Sequence, residues 1–329
     1  LLSAPFFSTQ TFAAECATGT SPAAGCTIDV SDITYTLTGD ISTTSTDNVI
    51  EFGDNANSNT LNFLGNITTT GLDAGAIIFG DSDSNTISMT GSISTQGNGA
   101  NGIRLTSGSR ANVIDLSGNI TTAGASTYAI NMGNTNDNTI TVNGNLTASG
   151  NNSGGIILNT SSNNTVDLTG NIDSGGIGIQ MLLGEGNTIN VTGNIDTANG
   201  SASGVYMRLT EFNTINITGN VTTLNDFADA FELENSGSNT INFNGNITTS
   251  GIGAEGILIN ASHLNTTTMT GNINISGANA YGILISVSNS NTTTMTGNIT
   301  TTGSLSRGIY IFGSDSNTTT MTGNISTTG

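Results

Sequence analysis

A Gly-Asn-Ile marker returns along this chain at an almost constant interval. Its glycines are Gly39, Gly65, Gly91, Gly118, Gly144, Gly170, Gly193, Gly219, Gly245, Gly271, Gly297 and Gly323. Nine of the eleven spacings are 26 residues; the other two are 27 (Gly91 to Gly118) and 23 (Gly170 to Gly193). A period of this length marks a solenoid, in which each unit buries its apolar residues only by stacking on its neighbours.

Residues 239–264 show one unit in full. Ile241 and Phe243 alternate with Thr240, Asn242 and Asn244, which is the period-two pattern of a strand with one buried face. Asn244-Gly245 breaks the line, Ile247 opens a second short strand, and a glycine-containing loop leads to a third strand with Ile257 and Ile259. The same inward slots are filled by Ile87 and Met89, Val166 and Leu168, or Ile215 and Ile217 in the first strand. In the third they hold Ile77 and Phe79, or Ile283 and Ile285. No charged residue occupies them.

Three short strands per unit predict a triangular coil. Gly, Asn and Thr are poor helix formers and the apolar spacing is two rather than three or four, so helical repeats are excluded. A propeller blade needs about 40 residues, and the leucine-rich consensus is absent. The expected fold is therefore all-β: a single-stranded, right-handed parallel β-helix of about twelve 26-residue coils. At about 4.8 Å per coil it would form a rod of about 58 Å.

Two further positions are nearly invariant and read as outward-facing. Asn stands six residues before the marker glycine in eleven of twelve units, from Asn59 to Asn317, and Thr follows it in eleven, with Val113 the exception. Stacked Asn side chains can hydrogen-bond along a ladder. Asn also tolerates the left-handed backbone of a tight corner.

The chain divides into three expected segments. Residues 1–14, with Leu1-Leu2 and Phe6-Phe7 ahead of Ala13-Ala14, read as the remnant of a signal peptide. Residues 15–32 read as an N-terminal cap, in which Cys16 and Cys26 would form a local disulfide in an exported chain. Residues 33–329 are the repeats, and the coil in progress at Gly329 predicts that they continue. No stretch is long and apolar enough for a membrane-spanning helix.

The formal net charge is −19, with no Lys and only Arg104, Arg110, Arg208 and Arg307 as strong bases. Such a surface repels phosphate backbones, which excludes nucleic acid as a partner.

The recurrent N-T-[IT]-x-[FMVIL]-x-G-N-I-x-T-x-G units resemble the passenger domains of bacterial autotransporters. Asn213-Thr214-Ile215-Asn216-Ile217-Thr218-Gly219-Asn220-Val221 and Asn291 to Ile299 are examples, and the resemblance covers residues 33–329. It implies a signal peptide, a β-helical passenger and a C-terminal outer-membrane β-barrel translocator, with the passenger displayed at or released from the cell surface. It also implies a non-enzymatic stalk or adhesin, whose partners would be a host or neighbouring cell surface, a glycan, or another copy of itself.

Two other classes are compatible with a β-helix. A polysaccharide-binding or polysaccharide-degrading β-helix would need a carboxylate cluster on one face. The densest acidic stretch, Asp226, Asp229, Glu232 and Glu234, reads as a solvated loop. Asp81 and Asp83 look superficially like a calcium loop, but the turn recurs as Gly313-Ser314-Asp315-Ser316-Asn317 and reads as a corner variant. His263 is the only histidine, which leaves no His-based triad and no His-rich metal site. No catalytic, cofactor-binding or metal residue is assigned, and no cofactor is expected.

An ice-binding solenoid is the third class, because Thr266, Thr268 and Thr270, with their counterparts up to Thr322, form an outward grid. In the same units Thr267, Thr293 and Thr319 take the inward slot usually held by Ile, which predicts a weaker C-terminal end.

Overall fold

The computed structural model describes Ala14–Glu15, residues 25–106 and residues 108–329. The expected leader, Ala14 excepted, and Cys16 lie outside the described residues. Among those described, no helix is long and apolar enough to cross a membrane.

The fold is an all-β solenoid. Each coil supplies one strand to each of three parallel sheets, of 12, 12 and 13 strands. In one coil the first strand is Thr214–Thr218, the second Val221–Thr223 and the third Phe231–Glu234. Each pairs with its counterpart one coil on: Ile215 with Ile241, Val221 with Ile247 and Phe231 with Ile257. Equivalent positions therefore stack in columns, and their apolar side chains fill the interior. Ile189, Ile215 and Ile247 have no exposed surface, and each such side chain contributes about 1.5–3 kcal/mol of burial. Phe52 and Phe79 stack inside with ring centroids 4.5 Å apart.

Cys26–Ile28, within the expected cap, is a rung of the third sheet, with Cys26 opposite Ile50. Cys26 is buried and is not a free thiol.

The marker glycine has a steric cause. A Cβ on Gly91 would overlap the carbonyl oxygen of Gly65 in the coil before, and one on Gly193 would overlap that of Gly170. The backbones of successive coils meet there with no room for a side chain.

The conserved Asn differs from expectation in two ways. It points inward: Asn85, Asn112, Asn164 and Asn187 have no exposed surface. The left-handed backbone falls on the residue before it, for example Ser84, Asn163, Phe212 and Leu264. The ladder itself is present. Asn85 Nδ2 donates to Asn112 Oδ1 at 3.0 Å and to the Ala56 carbonyl at 2.6 Å, while Asn85 Oδ1 accepts from the Asn59 backbone N–H and Nδ2. Burial is tolerated because both ends of the amide are satisfied.

The second strand ends inward on a small polar residue in most coils. Thr69, Thr197 and Thr249 each donate to the carbonyl five residues on, at 2.7 Å (Ala74, Ala202 and Ala254), and so hold the corner into the third strand.

The 23-residue spacing is absorbed at that corner alone. Ile156 pairs with Ile179 and Ala148 with Ser174, so both flanking sheets stay in register. Three residues (175–177) join the aligned positions Ser174 and Gly178, where the next coil uses six (198–203) between Thr197 and Gly204.

Candidate functional site on the third face

The three outer faces differ in chemistry. The central outward column of the first sheet reads Asn190, Asn216, Asn242, Thr268, Thr294 and Thr320. In the second sheet it reads Asp196, Thr222, Thr248, Asn274 and Thr300. Both columns are small and polar. On the third sheet the corresponding column runs Glu51, Ile78, Arg104, Asn131, Ile157, Gln180, Tyr206, Glu232, Leu258, Leu284 and Tyr310. Leu64 and Val113 at strand ends of the first sheet apart, the aromatic, basic and bulky aliphatic outward residues of the strands gather on this one face.

Its borders are unusual as well. Leu183, Leu209 and Val287 directly follow third-sheet strands, and Phe227 and Leu305 lie in the corners leading into them. All five have positive φ, between 50° and 60°, and are 49–73% exposed. Left-handed backbone costs a non-glycine residue about 1–2 kcal/mol, and an exposed side chain gains nothing from burial to offset it. A shallow groove of about 500 Å³ runs beside Phe227, Ile252, Leu258 and Leu284.

The centre of the face holds an acidic cluster that sequence reasoning read as a solvated loop. That reading is corrected: Asp226 is exposed, but Asp229 and Glu255 are buried and Glu232 and Glu234 are half-buried. Asp229 occupies the column in which Asn48 and Asn101 accept the backbone N–H of the next coil, at Gly75 and Tyr128. It does the same work, accepting from the Glu255 N–H at 2.6 Å.

Burial raises the Asp229 carboxyl well above the usual range, and contact with Glu255 raises it further. Burial also raises Glu255 and Glu232, the latter against a 2.9 Å hydrogen bond from Ser203 Oγ. The Tyr206 hydroxyl donates to Glu234 at 2.7 Å, and Arg208 lies 3.5 Å from the same carboxylate. The Tyr206 phenol is raised by burial first and then by Glu234.

A second feature lies where the short coil interrupts the face. The missing residues leave a notch of about 520 Å³ between Asn151–Asn152 on one side and Asn199–Ser201 on the other. Gly175 and Gly176 form its floor, and Tyr128 and Gln180 its third-sheet wall. A neighbouring groove of about 380 Å³ opens towards the second sheet, past Thr147, Asp173, Asp196 and Leu224. Asp173 and Asp196 stack in register there, and Asp173 is raised by burial and then by its neighbour's charge.

The other singled-out residues stay apart from these features. Asp83 is a corner residue, as read: its carboxylate accepts the Arg110 N–H at 2.8 Å, and its own N–H donates to Asn57 Oδ1. His263 is an exposed member of the same corner column, its Nδ1 accepting the Asn289 N–H at 3.1 Å. Among the described residues, no group of three or more His, Cys, Asp or Glu side chains is placed to hold a metal ion. Thr266, Thr268 and Thr270 face outward, while Thr267 and Thr293 are buried inside.

The third face was legible in principle. The middle slot of the third strand varies in size, charge and polarity from coil to coil, while those of the other two strands stay small and polar. Attention to the inward slots alone passes over that signal. Compared with protein-family models, curated proteins and solved structures, the chain matches none.

Proposed function

We propose that this protein is a non-enzymatic cell-surface stalk and adhesin, a β-helical passenger carried to the surface of a bacterium by an outer-membrane barrel. One observation carries the adhesive reading: the central columns of two faces hold only small polar residues, and that of the third is chemically varied. A pure spacer has no use for that asymmetry. Tyr206, Leu258, Leu284 and Tyr310 do not serve the core, and Leu209 or Val287 would fold more easily as Gly or Asn. Exposed aromatic and aliphatic side chains beside arginine are the usual contact chemistry of protein surfaces. The non-enzymatic part is supported by the engagement of the central carboxylates, since Glu234 is held by Tyr206 and Arg208 and Asp229 holds the Glu255 backbone. Surface display and the barrel rest on the resemblance of the repeats.

The test is adhesion of protein-coated beads to cell monolayers and to cells of the source organism. Beads should adhere. Tyr206→Ala with Leu258→Ala should release them, and Thr214→Ala with Thr240→Ala on the first face should not. Equal behaviour of the two pairs would refute a role for the third face. Protease shaving of intact source cells should remove the rod if it is displayed.

A further inference from the structure

We infer that the notch at the shortened coil is a binding site for a neutral glycan; this rests on, and deepens, the adhesive reading. The three-residue deletion leaves the sheets in register, so the fold does not require it and its effect is local. A six-residue corner is replaced by Gly175-Gly176-Ile177, which lies flat against the base of the corner before it: Cβ atoms on Gly175 and Gly176 would meet the backbone oxygens of Gly150 and Ser153. The tips of the two flanking corners are left facing one another across an opening of about 520 Å³, within the range of about 300–1,000 Å³ typical of small-ligand sites.

The chemistry of the lining points to the ligand class. Tyr128, Asn151, Asn152, Gln180, Asn199 and Ser201 converge on the opening. The buried amides of the rod are consumed in ladders. Here no hydrogen bond joins the side chains of these six residues to any described residue. Each amide pairs a donor with an acceptor and each hydroxyl serves as both, which matches sugar hydroxyls. The Tyr128 ring lies across Gly154, where a Cβ would stand only 2.8 Å from its edge, so the glycine lets the ring lie along the wall. A half-buried aromatic plane beside amides suits the C–H face of a pyranose.

No charged residue lines the notch. Asp173 and Asp196 in the adjoining groove, and the net charge of −19, disfavour uronic, sialic, sulfated and phosphorylated ligands. A neutral oligosaccharide remains.

The experiment applies the protein to an array of neutral and acidic oligosaccharides, with affinities for retained glycans from saturation-transfer NMR. It is compared with a filled-notch variant, in which residues 175–177 are replaced by the six residues found at 198–203, restoring the 26-residue spacing, and with Gln180→Ala. Neutral glycans should be retained and acidic ones not. Gln180→Ala should weaken binding about tenfold, the loss expected of one hydrogen bond. The filled variant should lose binding while keeping its circular dichroism. Failure to retain any neutral glycan, or undiminished binding by the filled variant, overturns the inference. The bead assay is run in parallel. Beads that adhere while no neutral glycan is retained refute the notch and leave adhesion standing. Glycan binding without adhesion does the reverse.

Discussion

Asn213 donates twice to Asn239: its Nδ2 and its backbone N–H lie 3.0 and 2.9 Å from the same Oδ1. This bidentate link repeats from coil to coil inside the rod. Replacing Asn239 by Ala leaves the buried Asn213 backbone N–H without its acceptor, while Asn213 Nδ2 keeps the carbonyls of Gly184 and Glu211. The expected loss is about 1–3 kcal/mol, the cost of one buried donor left unsatisfied. Asn246, whose Oδ1 accepts the same two donors of Asn272, is exposed, so Asn246→Ala should cost less. Thermal melting of the two variants against the parent checks the order.

The buried acids set a pH dependence. Asp229, Glu232 and Glu255 all have raised folded-state values. The folded state therefore holds protons that the unfolded chain releases, and stability falls as pH rises from the ordinary carboxyl range through the folded values. Acidification from neutral pH should raise the melting temperature. Asp229→Asn keeps the acceptor for the Glu255 N–H and removes the charge. It should raise the neutral-pH melting temperature and flatten its pH profile; an unchanged profile would show that Asp229 is not the group responsible.

The C-terminal coils carry a defect of another kind. The hydroxyls of Thr267 and Thr293 are buried without a hydrogen-bond partner, in slots that hold Ile189, Ile215 and Ile241 in earlier coils. Thr267→Val and Thr293→Val should each stabilise by about 1 kcal/mol by removing an unsatisfied group. Amide hydrogen exchange should find the parent coils at 266–296 less protected than those at 188–218.

The marker glycine gives a sharp contrast. Gly193 has φ of +155° and no space for a Cβ, whereas a Cβ at Gly133 meets nothing within 4 Å. Gly193→Ala should cost about 3 kcal/mol or more through strain and overlap. Gly133→Ala should stay within about 0.5 kcal/mol, as surface changes do. Comparable melting of the two variants would refute the steric account.

Much of the architecture follows from short-range pattern. The spacing of Ile241 and Phe243, the break at Asn244-Gly245 and the period of the marker determine three strands per coil, their inward residues and their parallel stacking. Periodicity reports these because in a solenoid each residue's neighbours are its own equivalents one unit away. What the sequence left open depends on contacts that periodicity does not encode. Asn85 reads as an outer residue by its polarity, yet it is buried, because only the stacked geometry supplies both partners of its amide. Asp229 reads as a loop acid, yet the column it shares with Asn48 and Asn101 turns it inward against Glu255. The 23-residue spacing reads as an irregularity in the count, but becomes a notch once register is held in two sheets and the whole deletion falls on one corner. The repeat by itself determined the rod; the tertiary structure alone decided where polar groups are satisfied and which face is free to differ, since both depend on what lies across a corner rather than along the chain.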